Sequence, residues 1–205
     1  NMNPLAITNN LNFASPLDPN IMGELVLSIH GLKTAAVEFN TPIVSGNVSL
    51  YNQTNDIPIK PTPVIGMVGS NMDLNNINTN KFCNIGNKIV VLGKQLTKSY
   101  SPYLLQDQKI ALNISEFNDL EVLDLDFEKK IANCVLELSD LKFIMSCNDI
   151  SRGGIFSSLL KMQYKDMGFK IKAPDPIDLF CEYSAGYVVE IRTKDLEEVT
   201  SFLTK

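Results

Sequence analysis

Ser45-Gly46-Asn47-Val48-Ser49 lies inside the longer run Thr41-Pro42-Ile43-Val44-Ser45-Gly46-Asn47-Val48-Ser49-Leu50-Tyr51-Asn52. The run reads as a strand over 43–51, broken by Gly46. Residues two apart on a strand share a face, so Asn47 and Ser49 point the same way. Gly46 has no side chain, and a ligand can come close to its amide. A bare amide, an amide oxygen and a hydroxyl on one side suit a phosphate and its metal ion. Mg²⁺ takes oxygen ligands and keeps several waters, so one neutral oxygen is a reasonable share. The alternative is a β-bulge at Gly46, with small polar residues facing solvent.

Upstream, residues 5–8 read as a short strand that ends in Asn9-Asn10. A helix follows, with Asp18 as N-cap and Pro19 at its first position. Met22, Leu25, Val26, Ile29, Leu32, Ala36 and Phe39 recur at spacings of three and four and predict one buried stripe. Asn40-Thr41-Pro42 stops the helix. Downstream, Thr54-Asn55-Asp56 signals a turn, and residues 63–69 read as a short buried strand.

A polar seam rich in asparagine spans 70–87 and marks a domain boundary. Beyond it, a strand is expected at 88–92 and a helix from Asp126, with Phe127, Ile131, Val135, Leu138 and Leu141 on one face. A strand follows at 142–146, then a turn at 148–154 opening a helix over 155–167. An alternating central strand at 187–191 and a helix at 196–203 complete the second piece. Strands and helices alternate, so the fold class is α/β or α+β.

The chain has 205 residues and a net charge of -5, which argues against a nucleic-acid partner, since counterion release needs clustered Lys and Arg. No apolar run reaches a membrane span, and the first residues show no secretory signal, so a cytoplasmic protein is expected. Cys83, Cys134, Cys147 and Cys181 form no CxxC pair and read as reduced thiols, mostly core filler. His30 is the one histidine. It lies beside the helical stripe and is expected at the surface, and a site built on two histidines is excluded.

Two further stretches could carry chemistry. Thr8-Asn9-Asn10-Leu11-Asn12-Phe13 offers three amides at a strand exit, which could bind a nucleotide or satisfy their own backbone as turns. Ser151-Arg152-Gly153-Gly154 precedes a helix, where free N–H groups and the helix dipole can hold an anion. A strand–Gly–Gly–helix turn is equally common without a ligand. Glu182 and Asp149 sit near turns and read as solvated or capping. The acidic run 116–128 is interleaved with apolar residues and reads as a packed surface segment.

Taken in order, Thr8 to Phe13, Pro19-Asn20-Ile21-Met22, Thr41 to Asn52, and Pro61-Thr62-Pro63-Val64-Ile65-Gly66-Met67-Val68-Gly69 resemble the PurL type of phosphoribosylformylglycinamidine synthase. The SGNVSLYN run followed by PTPVIGMVG is the specific part. More loosely, Asn148 to Gly154 resembles that family's DVSDGG turn, and 179–191 its LFSES…YVVEV segment. The sequence departs from the family in several places, among them Asn148, where a histidine commonly stands. Arg152 replaces an acid, Ala14 replaces a glycine, and Ser99-Tyr100-Ser101-Pro102-Tyr103-Leu104 stands where the family has GGSEYL.

The resemblance implies the two-domain fold of the aminoimidazole ribonucleotide synthetase superfamily. A partial N-terminal-type domain over 1–75, whose strands pair into a shared barrel, would precede an α/β C-terminal-type domain over 80–205, both from the second half of the polypeptide. It implies an ATP-dependent ligase of purine biosynthesis, acting on formylglycinamide ribonucleotide and glutamine-derived ammonia. ATP and Mg²⁺ would be its cofactors. A glutaminase subunit, a small PurS-type subunit and the missing first half would be its partners. By the same resemblance Asn9 and Gly46 contact ATP, Asn47 binds Mg²⁺ and Ser49 touches the ribonucleotide. The family's catalytic histidine has no counterpart here, so no catalytic residue is assigned. Other members of the superfamily, or a non-catalytic nucleotide-binding half, are the alternatives.

Overall fold

The computed structural model describes residues 2–74, 77–95, 123–173 and 176–204. Residues 99–104 and most of the acidic run at 116–128 lie outside them. The chain divides into two compact units, Met2–Leu74 and Asn75–Lys205.

In the first unit, strand β1 (Asn3–Asn12), helix α1 (Pro19–Glu38), strand β2 (Ile43–Ser49) and strand β5 (Thr62–Ser70) carry the fold. Two short strands, β3 (Gln53–Thr54) and β4 (Ile57–Pro58), form a hairpin between β2 and β5. The sheet runs β2-β1-β5, with β1 parallel to β2 and antiparallel to β5. It is open and does not close into a barrel.

Local chemistry explains the boundaries. Asp18 accepts from the Asn20 amide at 2.8 Å and caps α1, with Pro19 as its first residue. At the far end Asn40 takes a left-handed φ of 49°. The amides of Thr41 and Asn40 reach back to the carbonyls of Ala36 (2.9 Å) and Val37 (3.1 Å), a Schellman closure. Asn55 and Asp56 both have positive φ, as a two-residue hairpin turn requires.

Three expectations need correction here. The first strand is longer than 5–8, so Asn9 and Asn10 lie within it instead of forming a turn. The α1 stripe is not buried. Met22, Val26, Ile29 and Phe39 are exposed, while Leu25, Leu32 and Ala36 are half-buried. The strand at 63–69 is likewise exposed along most of its length. The unit's core is small (Ile7, Leu11, Phe13, Ala14), so most apolar residues of its outer elements stay uncovered.

The second unit is a three-layer sandwich. Strand β6 (Lys88–Gln95), helix α2 (Leu125–Asp140), strand β7 (Ile144–Asp149), helix α3 (Gly154–Met162), strand β8 (Tyr183–Ile191) and helix α4 (Leu196–Leu203) follow in order. The antiparallel sheet runs β6-β8-β7. Ile155, Leu159 and Met162 of α3 pack with Val188 on one side. Leu138 of α2 and Val199 of α4 pack with Leu92, Val189 and Ile191 on the other. Both faces of β8 are therefore covered. Residues 188–191 are all buried, and the expected alternation is absent. Leu141 is exposed and ends α2, and α3 stops at Met162, short of 167. Of the cysteines only Cys181 is fully buried. Cys134 and Cys147 pack beside the core, and Cys83 is exposed.

Glu190 is a fully buried carboxylate that the sequence reading did not single out. It accepts from the amides of Cys83 (2.9 Å) and Asn84 (3.1 Å), from Asn87 Nδ2 (2.7 Å) and from the Ser146 hydroxyl (2.6 Å). A buried charge survives when donors replace its water, and these four do so. The seam residues 83–87 are thereby tied to the sheet. Replacing Glu190 by Ala strands four donors and should cost about 3 kcal/mol. Urea unfolding should show a lowered midpoint, whereas Glu198→Ala at the surface should stay within about 0.5 kcal/mol. Equal midpoints for the two variants would contradict this account.

Candidate nucleotide and metal site

The β1–β2 pair decides which side chains meet. Its register is Thr8↔Ser45, Asn9↔Gly46, Asn10↔Asn47, Leu11↔Val48 and Asn12↔Ser49. Paired residues share a face and successive residues alternate. One row therefore holds Thr8, Asn10 and Asn12 beside Ser45, Asn47 and Ser49. The other holds Ile7, Asn9 and Leu11 beside Gly46 and Val48.

The first row is polar and mostly open to solvent. The Ser45 hydroxyl donates to Thr8 Oγ1 at 2.9 Å. Asn47 Nδ2 donates to Asn10 Oδ1 at 3.1 Å and to Ser49 Oγ at 3.2 Å. Asn12 Nδ2 donates to the Thr62 carbonyl of β5 at 3.2 Å. Among the described residues no donor is assigned to Asn47 Oδ1. That oxygen is a hard, neutral donor on an accessible surface, as Mg²⁺ chemistry asks. No group of three or more His, Cys, Asp or Glu that could hold a metal ion occurs among the described residues. A cation here would take its negative charge from a phosphate ligand.

Gly46 does not sit at a bulge. The irregularity in the pair falls at Val44, between the pairs Ile7↔Ile43 and Thr8↔Ser45. What Gly46 allows is the close approach of Asn9. A Cβ built on Gly46 would overlap Asn9 Oδ1 and stand 3.0 Å from the Asn9 carbonyl oxygen. The structure thus brings Asn47 and Ser49 together, and it places Asn9 with Gly46 on the opposite row. Asn10 completes the polar row, and its place directly opposite Asn47 was not foreseen. Nothing in the sequence fixes the inter-strand register that would have revealed it.

At 151–154 the structure offers less to a ligand. Gly153 and Gly154 both have positive φ at the start of α3. Gly154 is buried, its amide donates to the Ser151 carbonyl at 2.9 Å, and a Cβ there would press on the Leu179 and Cys181 carbonyls. Glycine serves close backbone packing at this point. The exposed Cys83 thiol is held above its usual range by partial desolvation and then by the Glu190 carboxylate, so thiolate chemistry is disfavoured. His30 lies exposed on α1, as expected.

Gly46→Ala should overpack against Asn9 and cost about 1–3 kcal/mol in unfolding free energy. Adding Asn9→Ala should restore only part of it, because the 3.0 Å contact with the Asn9 carbonyl remains. Full additivity of the two losses in chemical denaturation would show that the side chains do not meet.

Known proteins share sequence and fold with this chain. Residues 1–70 match the family described as AIR synthase related protein, N-terminal domain. The phosphoribosylformylglycinamidine synthase subunit PurL of Pelagibacter ubique (strain HTCC1062) is 40% identical over 206 residues, covering 98% of this chain and 28% of the relative. The chain thus spans little more than a quarter of the curated relative's length. Thermotoga maritima PurL complexed with ATP shares the fold with a TM-score of 0.60 at 16% identity, over 98% of this chain and 31% of that one. The same protein complexed with FGAR gives a TM-score of 0.63 at 17% identity, over 97% and 33%. The first 70 residues are similar to the AIR synthase related N-terminal domain, and along nearly its whole length the chain is similar to a stretch of PurL-type phosphoribosylformylglycinamidine synthases.

Proposed function

We propose that the chain is part of an ATP-dependent ligase that converts formylglycinamide ribonucleotide and glutamine-derived ammonia to formylglycinamidine ribonucleotide, with ADP and phosphate as the other products. The observation that carries this reading is the Asn47–Ser49 pair on β2, exposed at Asn47 and half-buried at Ser49, which presents an open amide oxygen and a hydroxyl on one face. Sequence identity to PurL over nearly the whole chain supports it.

In this reading Asn47 Oδ1 contributes to a Mg²⁺ site, the Ser49 hydroxyl holds the ribonucleotide, and the Gly46 amide belongs to the ATP site. Asn9, the other proposed ATP residue, lies directly opposite Gly46, with its side chain on the other row. Bound Mg²⁺ would neutralise phosphate charge during transfer. The substrate's amide oxygen takes the γ-phosphoryl group from ATP. Ammonia then adds to the same carbon, and phosphate leaves with that oxygen. The chain's own groups bind and orient, and the catalytic histidine comes from the rest of the polypeptide. A glutaminase subunit that supplies ammonia and a small PurS-type subunit are the proposed partners, in the cytoplasm. No helix among the described residues is long and apolar enough to cross a membrane.

The alternative, a nucleotide held for stability, is separated from this reading by one experiment. In the full-length protein, Asn47→Ala should weaken Mg·ADP binding about tenfold by calorimetry at limiting Mg²⁺. Unchanged affinity would refute the site. If affinity falls and turnover falls with it, the nucleotide is the reacting one. If affinity and melting temperature fall while turnover persists, it is structural.

A further inference from the structure

We infer that Asn10 is a positioning residue for Asn47: by accepting from Asn47 Nδ2, it holds the carboxamide with Oδ1 free for the cation of a bound metal–nucleotide. The inference rests on the nucleotide reading and adds to it a residue on the neighbouring strand.

The need for such a residue follows from the amide itself. An asparagine carboxamide has a broad, nearly two-fold rotation about its last bond. On an exposed strand it can present its oxygen or its NH₂ group to the same point. Only the oxygen can meet a cation, and a flipped amide would set two N–H donors against it. Two acceptors favour one of these orientations here. Asn10 Oδ1 at 3.1 Å and Ser49 Oγ at 3.2 Å both take Nδ2. The amide nitrogen is therefore held within the sheet, and the oxygen is left for a ligand. Asn10 comes to this place through the register, directly opposite Asn47. Orientation of a ligating group by an outer partner is a general device of metal sites, and losing the partner typically lowers metal affinity ten- to a hundredfold.

The test uses Mn²⁺ with ADP on the full-length protein, read by the electron paramagnetic resonance of free Mn²⁺ and by calorimetry with and without the metal. Asn10→Ala should weaken Mn·ADP about tenfold while leaving metal-free ADP affinity within about twofold. Asn10→Asp keeps the acceptor and should retain Mn·ADP affinity. In an Asn47→Ala background, Asn10→Ala should cause no further loss, because nothing remains to orient. Three results would each overturn the inference. These are a loss in Asn10→Asp as large as in Asn10→Ala, a full additional loss on top of Asn47→Ala, or an equal loss of metal-free ADP. If Asn47→Ala alone leaves Mn·ADP unchanged, the nucleotide reading falls and this inference with it. If Asn47→Ala weakens binding and Asn10→Ala does not, only the positioning role falls.

Discussion

Between Ile7 and Thr8 the partner strand β2 advances by one extra residue, Val44, and that single insertion sets which side chains the first unit shows to solvent. Before it, Ile7 faces Ile43; after it, Thr8 faces Ser45. Were Val44 instead paired with Thr8 in regular register, Leu11 would pair with Asn47. The site's amide would then fall in the row that holds Ile7 and Leu11, both buried. A one-residue slip exchanges the two faces of a strand, so the bulge is what puts Asn47 in the polar row. The pair is pinned at both ends. The Ile7 amide donates to the Pro42 carbonyl at 2.8 Å, and the Phe13 amide to the Ser49 carbonyl at 3.0 Å. Asn52 Nδ2 then bridges the carbonyls of Phe13 and Ser49. The polar row is the exposed side of a register that the backbone holds.

Features settled within a few residues were legible in the sequence. The Asp18 cap, the Asn40 closure and the Asn55-Asp56 turn each follow from one residue's local preference, and each occurs where its signal stands. The shared face of Asn47 and Ser49 was legible for the same reason, since strand alternation is local. Burial was not. The apolar periodicity of α1 is real, but a three-stranded sheet offers little surface to cover it. Register was not legible either, because it is a relation between segments far apart in sequence. That is why the pairing of Asn9 with Gly46, and of Asn10 with Asn47, emerges only in the folded chain.

Glu190 shows the same limit from the other side. In the sequence it is one acidic residue in an apolar strand. Its four donors come from 83–87 and from Ser146, distant stretches that only the folded chain assembles around the carboxylate. The asparagine-rich seam read as a domain boundary, yet its later part supplies three of the four donors to the buried Glu190 carboxylate. Polar composition reported the surface tendency of those residues, and three-dimensional accounting reported their use.

On the proposed reading, a row of neutral groups is physically sensible for a nucleotide and a cation. Neutral amides and hydroxyls are cheap to leave in water when no ligand is present, and they bond to one another across the strands meanwhile. They cannot compensate a divalent ion alone, because a neutral oxygen brings no charge to offset the ion's hydration. A phosphate brings that charge but is repelled by a row of acids. Neutral donors therefore suit a metal and a phosphate that arrive together, each lowering the cost of binding the other. Selectivity then depends on direction: an amide oxygen turned outward favours the pair, and an amide nitrogen turned outward favours a bare anion. The orientation of one carboxamide, set by the acceptors beside it, separates the two.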